Sequence, residues 1–109
     1  MTPTKVSPDF SVTPQMRPEE VAEAAALGFK TIISNRPEGE VADQPATEAI
    51  RAEAERLGLT FVHLPVVSGA ITQANVDDFA AALDRVPGPV LAYCRSGGRS
   101  KQLWQLAQG

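Results

Sequence analysis

A single cysteine, a single histidine and the lack of any long apolar run set the first bounds on this 109-residue chain. One cysteine excludes an intrachain disulfide framework. One histidine with one cysteine cannot make the usual zinc ligand sets, so no metal and no cofactor is expected. A bilayer-spanning helix needs about 20 mainly apolar residues, and no stretch supplies them, so no membrane partner is expected. Met1-Thr2-Pro3-Thr4-Lys5 is not followed by an apolar signal run. Positive charge is not in excess either: the formal net charge is -3, and nothing points to nucleic acid as a partner. These absences describe a soluble cytoplasmic protein in a reducing compartment, where a thiolate survives. The length allows one domain over residues 1–109 and is too short for two.

The pattern within that length is an alternation of strands and helices. Met1 to Pro8 is polar and carries two prolines, and reads as a loose lead-in. Phe10-Ser11-Val12 reads as a short strand, placed antiparallel at an edge. A helix follows with Pro18 in its first turn, Glu19 and Glu20 behind it, and Gly28 at its end. Phe29 to Ile33, Leu59 to Leu64 and Val90 to Tyr93 are apolar or β-branched runs, the mark of buried strands. Between them, Ala46 to Leu57 and Gln73 to Arg85 carry apolar residues at helical spacing, with Thr72 as the N-cap of the second. Lys101 to Gln108 is the last helical stretch. Such alternation with short links predicts an α/β fold: one domain with a mostly parallel central sheet of four to five strands flanked by helices. The loops Ser34–Asp43, Pro65–Ala70 and Cys94–Ser100 then gather where the long strands end, which is where open α/β sheets bind ligands.

The third of these loops carries the chemistry. Tyr93-Cys94-Arg95-Ser96-Gly97-Gly98-Arg99-Ser100 passes from strand to helix with the only cysteine at its head. Two glycines let successive backbone N–H groups turn inward, and a helix start adds partial positive charge at the same point. Arg95 and Arg99 add full charges. An anion site is expected, built from Arg95, Ser96, Gly97, Gly98 and Ser100, with Cys94 as a thiolate nucleophile and Arg99 as its catalytic partner. A lone cysteine is more often a packing residue, but packing does not call for two glycines and two arginines in the following five positions. Glu38, Arg36 and His63 lie on the neighbouring loops and strand end, as acid or supporting groups. A loop arginine is usually solvated or paired, here with Glu38 or Asp43, and a strand histidine is usually hydrogen-bonded at the rim.

With Ser34-Asn35-Arg36-Pro37, His63-Leu64-Pro65-Val66-Val67 and the Cys94 loop in that order, the chain resembles a known family over its whole length. This is the phosphatase-like domain of the bacterial beta-lactamase-hydrolase-like proteins. The resemblance implies a cysteine-phosphatase-like fold, and a metallo-β-lactamase-like hydrolase as fused or cooperating partner. The loop departs from the phosphatase signature of His-Cys, five residues, then Arg. Tyr93 stands in the histidine place and Arg99 comes one residue early, with Ser100 where the arginine belongs. The loop Val66-Val67-Ser68-Gly69-Ala70 lacks the aspartic acid that protonates the leaving oxygen in such phosphatases. Cys-Arg-x-Gly-x-Arg is also similar to single-domain rhodanese loops, and persulfide transfer needs no such acid.

The loop therefore favours a sulfurtransferase. In that reading Cys94 takes sulfur from a small anionic donor as a persulfide and passes it to an acceptor thiol. The alternative is a phosphatase that forms a phosphocysteine on a phosphoester substrate, with Glu38, Glu40 or Asp43 as substitute acid. A non-catalytic anion-binding module is the third reading.

Overall fold

The computed structural model describes residues 1–108. Five strands and four helices occur in the order β1 (Thr4–Ser7), β2 (Phe10–Thr13), α1 (Glu20–Ala26), β3 (Thr31–Ser34), α2 (Thr47–Arg56), β4 (Thr60–His63), α3 (Gln73–Arg85), β5 (Val90–Tyr93) and α4 (Gly98–Ala107). The strands form one sheet in the order β1-β2-β5-β3-β4. β5 is central, parallel to β2 on one side and to β3 on the other, and β3 is parallel to β4. The mostly parallel α/β sheet expected from the alternation is the one observed.

Successive residues of a strand point to opposite faces, and each face has its own core. Ile32, Leu91, Tyr93 and Phe61 pack with Val21, Ala24, Ile50 and Ala54 beneath α1 and α2. Ile33, Val90, Ala92, Phe10 and Val12 pack with Val76, Phe79 and Leu103 beneath α3 and α4. Burying a side chain of this size contributes about 1.5–3 kcal/mol, which is why the central strand β5, covered on both faces, is apolar at all four positions and does not alternate. The Thr72 cap forms as the sequence suggests. Its hydroxyl accepts from the Asn75 amide at 3.1 Å, and the Asn75 side chain accepts from the Thr72 amide at 2.9 Å.

Three expectations are corrected. Thr4–Ser7 lies inside the supposed lead-in yet pairs antiparallel with β2. An edge strand whose first two residues are exposed needs no apolar pattern, so its composition resembles a loop. Phe10–Thr13 is consequently not an antiparallel edge but an inner strand parallel to β5. The last helix starts at Gly98 rather than Lys101, because Gly97 turns the chain directly into it.

The four parallel strands all end at one edge of the sheet, with Ser34 opposite both His63 and Tyr93, and Thr13 opposite Tyr93. Four segments leave from that edge, the one after Thr13 included. Among the described residues, no helix is long and apolar enough to cross a membrane.

Candidate active site

Cys94 follows the central strand and is fully buried. Its sulfur lies inside the turn that opens α4. The Gly97 amide donates to Cys94 Sγ at 3.0 Å. Burial pushes the thiol up, but the amides of Ser100, Arg99, Gly97 and Ser96 face the sulfur and together hold it below the usual cysteine range. The backbone reaches this shape through Gly97, whose φ of 95° is left-handed. A Cβ at Gly97 would also meet the Thr13 carbonyl at 3.4 Å, so close approach to the neighbouring strand end adds a second demand for glycine. Ser96 and Gly98 are exposed at the mouth, with the Gly98 amide donating to Ser96 Oγ at 3.3 Å. Ser100 is fully buried. Arg95 is exposed; its carbonyl, not its side chain, is tied in, accepting from the Gln15 amide at 3.2 Å.

Arg99 folds back over the loop, its side chain only 10% exposed. Nη1 donates to Glu40 Oε2 at 2.7 Å and to the Val66 carbonyl at 2.8 Å, and Nη2 donates to Glu40 Oε1 at 2.9 Å. A guanidinium has five N–H donors. Glu40 and Val66 occupy the end of the fork, leaving Nε–H and one Nη2–H, the pair along its side. The hydrogen bonds of Glu40, followed by its charge and that of Cys94, raise the Arg99 pKa against the opposing effect of burial. Among the described residues no other hydrogen-bonded partner takes that pair, which leaves a bidentate edge for an anion at the Cys94 sulfur, whose own charge and hydrogen bonding help to raise the Arg99 pKa.

Glu40 is held from two sides. Arg36 Nε donates to its Oε1 at 2.8 Å. Arg99 hydrogen bonds pull its pKa down, burial pushes it up, and Arg36 lowers it further, from the ordinary 4.5 to about 2. Arg36 is not the solvated loop arginine that its composition suggests: it is 3% exposed and paired with Glu40 rather than with Glu38 or Asp43. His63, partly buried at the end of β4, donates through Nε2 to the Arg36 carbonyl at 2.9 Å. The carbonyl can only accept, so Nε2 carries the proton of this bond.

Glu38, expected as the first candidate acid, faces elsewhere. Both its carboxylate oxygens accept from the Thr47 amide, at 2.9 and 3.2 Å, at the start of α2. Bonds from the Thr47 hydroxyl and amide lower its pKa against a smaller opposing effect of burial, with the charge of His63 lowering it further. A general acid needs the opposite shift. Glu38 replaces the side-chain cap that Ala46 cannot supply. Asp43 is exposed and lines a roughly 570 Å³ cleft with Gln15, Arg17, Pro18, Glu19 and Pro45. Among the described residues, no three His, Cys, Asp or Glu side chains gather as a metal site.

Two participants escaped the sequence. Glu40 ranked behind Glu38 as one of three substitute acids, and nothing in its spacing marks it as the partner of Arg99, 59 positions away. Gln15 follows a strand that composition places at the edge of the sheet. Only the inner, parallel placement of β2 brings its loop beside Cys94.

Comparison with known proteins agrees with this fold. The profile described as "Beta-lactamase hydrolase-like protein, phosphatase-like domain" matches residues 4–109. A beta-lactamase hydrolase-like protein of Xylella fastidiosa is 34% identical over 99 residues, covering 91% of this chain and 23% of the relative. The chain therefore spans about a quarter of the length of the curated relatives it matches. A crystal structure from Neisseria meningitidis, described as a candidate phosphatase, superposes with a TM-score of 0.86 at 37% identity, covering 93% of this chain and 72% of that one. The core catalytic domain of the PP-IP phosphatase Siw14 from S. cerevisiae superposes with a TM-score of 0.63 at 18% identity, covering 87% of this chain and 56% of that one, a likeness of fold alone. With a cysteine-phosphatase-like sheet, the Cys94 loop at the end of its central strand and this match over nearly every residue, the chain belongs to the family of phosphatase-like domains of beta-lactamase hydrolase-like proteins.

Proposed function

We propose that this domain is a cysteine-dependent phosphatase. The observation that carries the reading is the open side fork of Arg99 beside a Cys94 sulfur ringed by backbone amides. A phosphoryl group presents several anionic oxygens, and this arrangement supplies the matching donors: loop amides from one side and a bidentate guanidinium edge from the other. Cys94 Sγ attacks phosphorus, an S–P bond forms and the P–O bond to the leaving group breaks. Water then attacks the phosphocysteine, the S–P bond breaks, and inorganic phosphate leaves with the thiolate restored. The shortened loop places Arg99 at the position that closes the cradle, so its early arrival does not remove the guanidinium from the site.

This reverses the ranking drawn from the loop motif. The family and the structural neighbours are phosphatase-like, and these matches give persulfide transfer no support. The leaving oxygen lacks an evident acid in Glu38 and Glu40, both committed to other partners with lowered pKa. Asp43 is the remaining candidate among the three carboxylates. Because the thiolate must stay reduced, the reading calls for a reducing compartment such as the cytoplasm. The family name and the greater length of the curated relatives support work beside a metallo-β-lactamase-like hydrolase.

Hydrolysis of nitrophenyl phosphate tests the reading. Activity that disappears in Cys94→Ser, and falls by about tenfold or more in Arg99→Ala through loss of a charge-assisted contact of about 1.5–3 kcal/mol, is expected. Activity equal in wild type and Cys94→Ser would refute it.

A further inference from the structure

Beyond the residues that face the anion site, one chain of polar contacts leaves the nucleophile loop and returns to it through two other segments. The Gln15 amide donates to the Arg95 carbonyl at 3.2 Å. Gln15 Oε1 accepts from Arg36 Nη1 at 3.1 Å. Arg36 Nε donates to Glu40 Oε1 at 2.8 Å, and Glu40 closes the circuit on both terminal nitrogens of Arg99. The Gln15 amide orientation is fixed by both of its contacts, since Nε2 donates to the Met16 carbonyl at 2.7 Å and the guanidinium can only donate.

We propose that Gln15 and Arg36 are positioning residues that act through Glu40 to aim the free edge of Arg99 at the anion over Cys94. A carboxylate held by Arg99 alone could swing onto the side edge and compete with the substrate there. Arg36 fixes one of its oxygens, so Glu40 meets only the end of the fork. The charges matter as well. Two guanidiniums sharing one carboxylate keep one net positive charge, whereas Arg99 and Glu40 alone would cancel. Arg36 is buried at 3% exposure, and its side-chain hydrogen bonds to Glu40 and Gln15 oppose the cost of desolvating its charge.

The proposal rests on the phosphatase reading only for its kinetic arm; the binding arm uses inorganic phosphate. Protection of Cys94 from iodoacetamide, a neutral alkylating agent, measures phosphate occupancy without turnover. Arg36→Lys keeps the charge but cannot hold Gln15 and Glu40 together as the planar fork does. It is expected to raise the phosphate concentration for half-protection by about tenfold, a coupling typical of residues in one polar network. The pH midpoint of Cys94 alkylation should move little, because the loop amides, the leading groups that lower it, are untouched. In a Glu40→Gln background the same substitution should add little, and in the wild-type background the KM for nitrophenyl phosphate should rise more than kcat falls.

If Arg36→Lys does not fold, Gln15→Ala at its half-buried position provides the same cycle with Glu40→Gln and a smaller, roughly threefold effect. Full additivity in the Glu40→Gln background, or unchanged phosphate protection in folded variants, overturns the proposal while leaving the phosphatase reading intact. A wild-type protein that phosphate does not protect and that hydrolyses no nitrophenyl phosphate defeats the phosphatase reading, and the proposal falls with it.

Discussion

The Cys94 sulfur is buried, yet its acidity is raised, because four amides of its own loop oppose the cost of burial. The alkylation rate against pH should therefore have its midpoint below the free-cysteine value of about 8.5. A midpoint at or above that value would remove the thiolate on which the mechanism depends. Glu40 leads to a second expectation, on stability. Its folded pKa of about 2 lies below the ordinary 4.5. A depressed carboxylate contributes stability that is fully present above its unfolded pKa and is lost as pH falls through the folded one. Acid unfolding of wild type should thus show a loss between about pH 4.5 and 2 that Glu40→Gln lacks. Matching wild-type and Glu40→Gln curves over that window would show that the pair with Arg99 is not made in solution. The Cys94 loop and Arg99 were legible in the sequence as a candidate anion site because glycine pairs, a lone cysteine and arginines are unusual together. The partner of that arginine was not, since pairing across 59 positions depends on how the β3 and β5 loops meet.

Two loops owe their shape to single residues. Gly97 combines a left-handed φ of 95° with close approach to Thr13. Gly97→Ala should cost about 1–2 kcal/mol in unfolding free energy from the backbone alone, and should also slow Cys94 alkylation by moving an amide off the sulfur. Normal stability with normal alkylation would place the turn elsewhere. Glu38 caps α2 from nine positions upstream, a contact outside the usual N-cap window. Glu38→Ala is expected to lower stability by about 1 kcal/mol, as loss of an N-cap does. Turnover per folded molecule should change little in Glu38→Gln, whereas collapse of turnover there would restore Glu38 as the leaving-group acid. Helix α3 was readable from its start because Thr72 declares the cap locally, and its end because Pro87-Gly88-Pro89 follows directly. Strand β1 was not, because an exposed edge strand needs only backbone pairing and leaves no apolar trace in the sequence.

At the scale of the whole molecule, a parallel sheet with β5 at its centre delivers four segments to one edge. This ties the chemistry to topology: Cys94 leaves the central strand, Arg36 and Glu40 follow β3, Val66 follows β4 and Gln15 follows β2. The alternation of elements made the sheet readable in advance, but not that β2 runs parallel beside β5, which is why the β2 loop was absent from the expected site. The most direct measurement is the mass of the protein after rapid quenching from a phosphoryl donor and, separately, from thiosulfate. The account predicts one phosphoryl group on Cys94, absent in Cys94→Ser, and no added sulfur atom. A sulfur atom retained on Cys94 after thiosulfate, with no phosphoryl adduct from any donor, would contradict it.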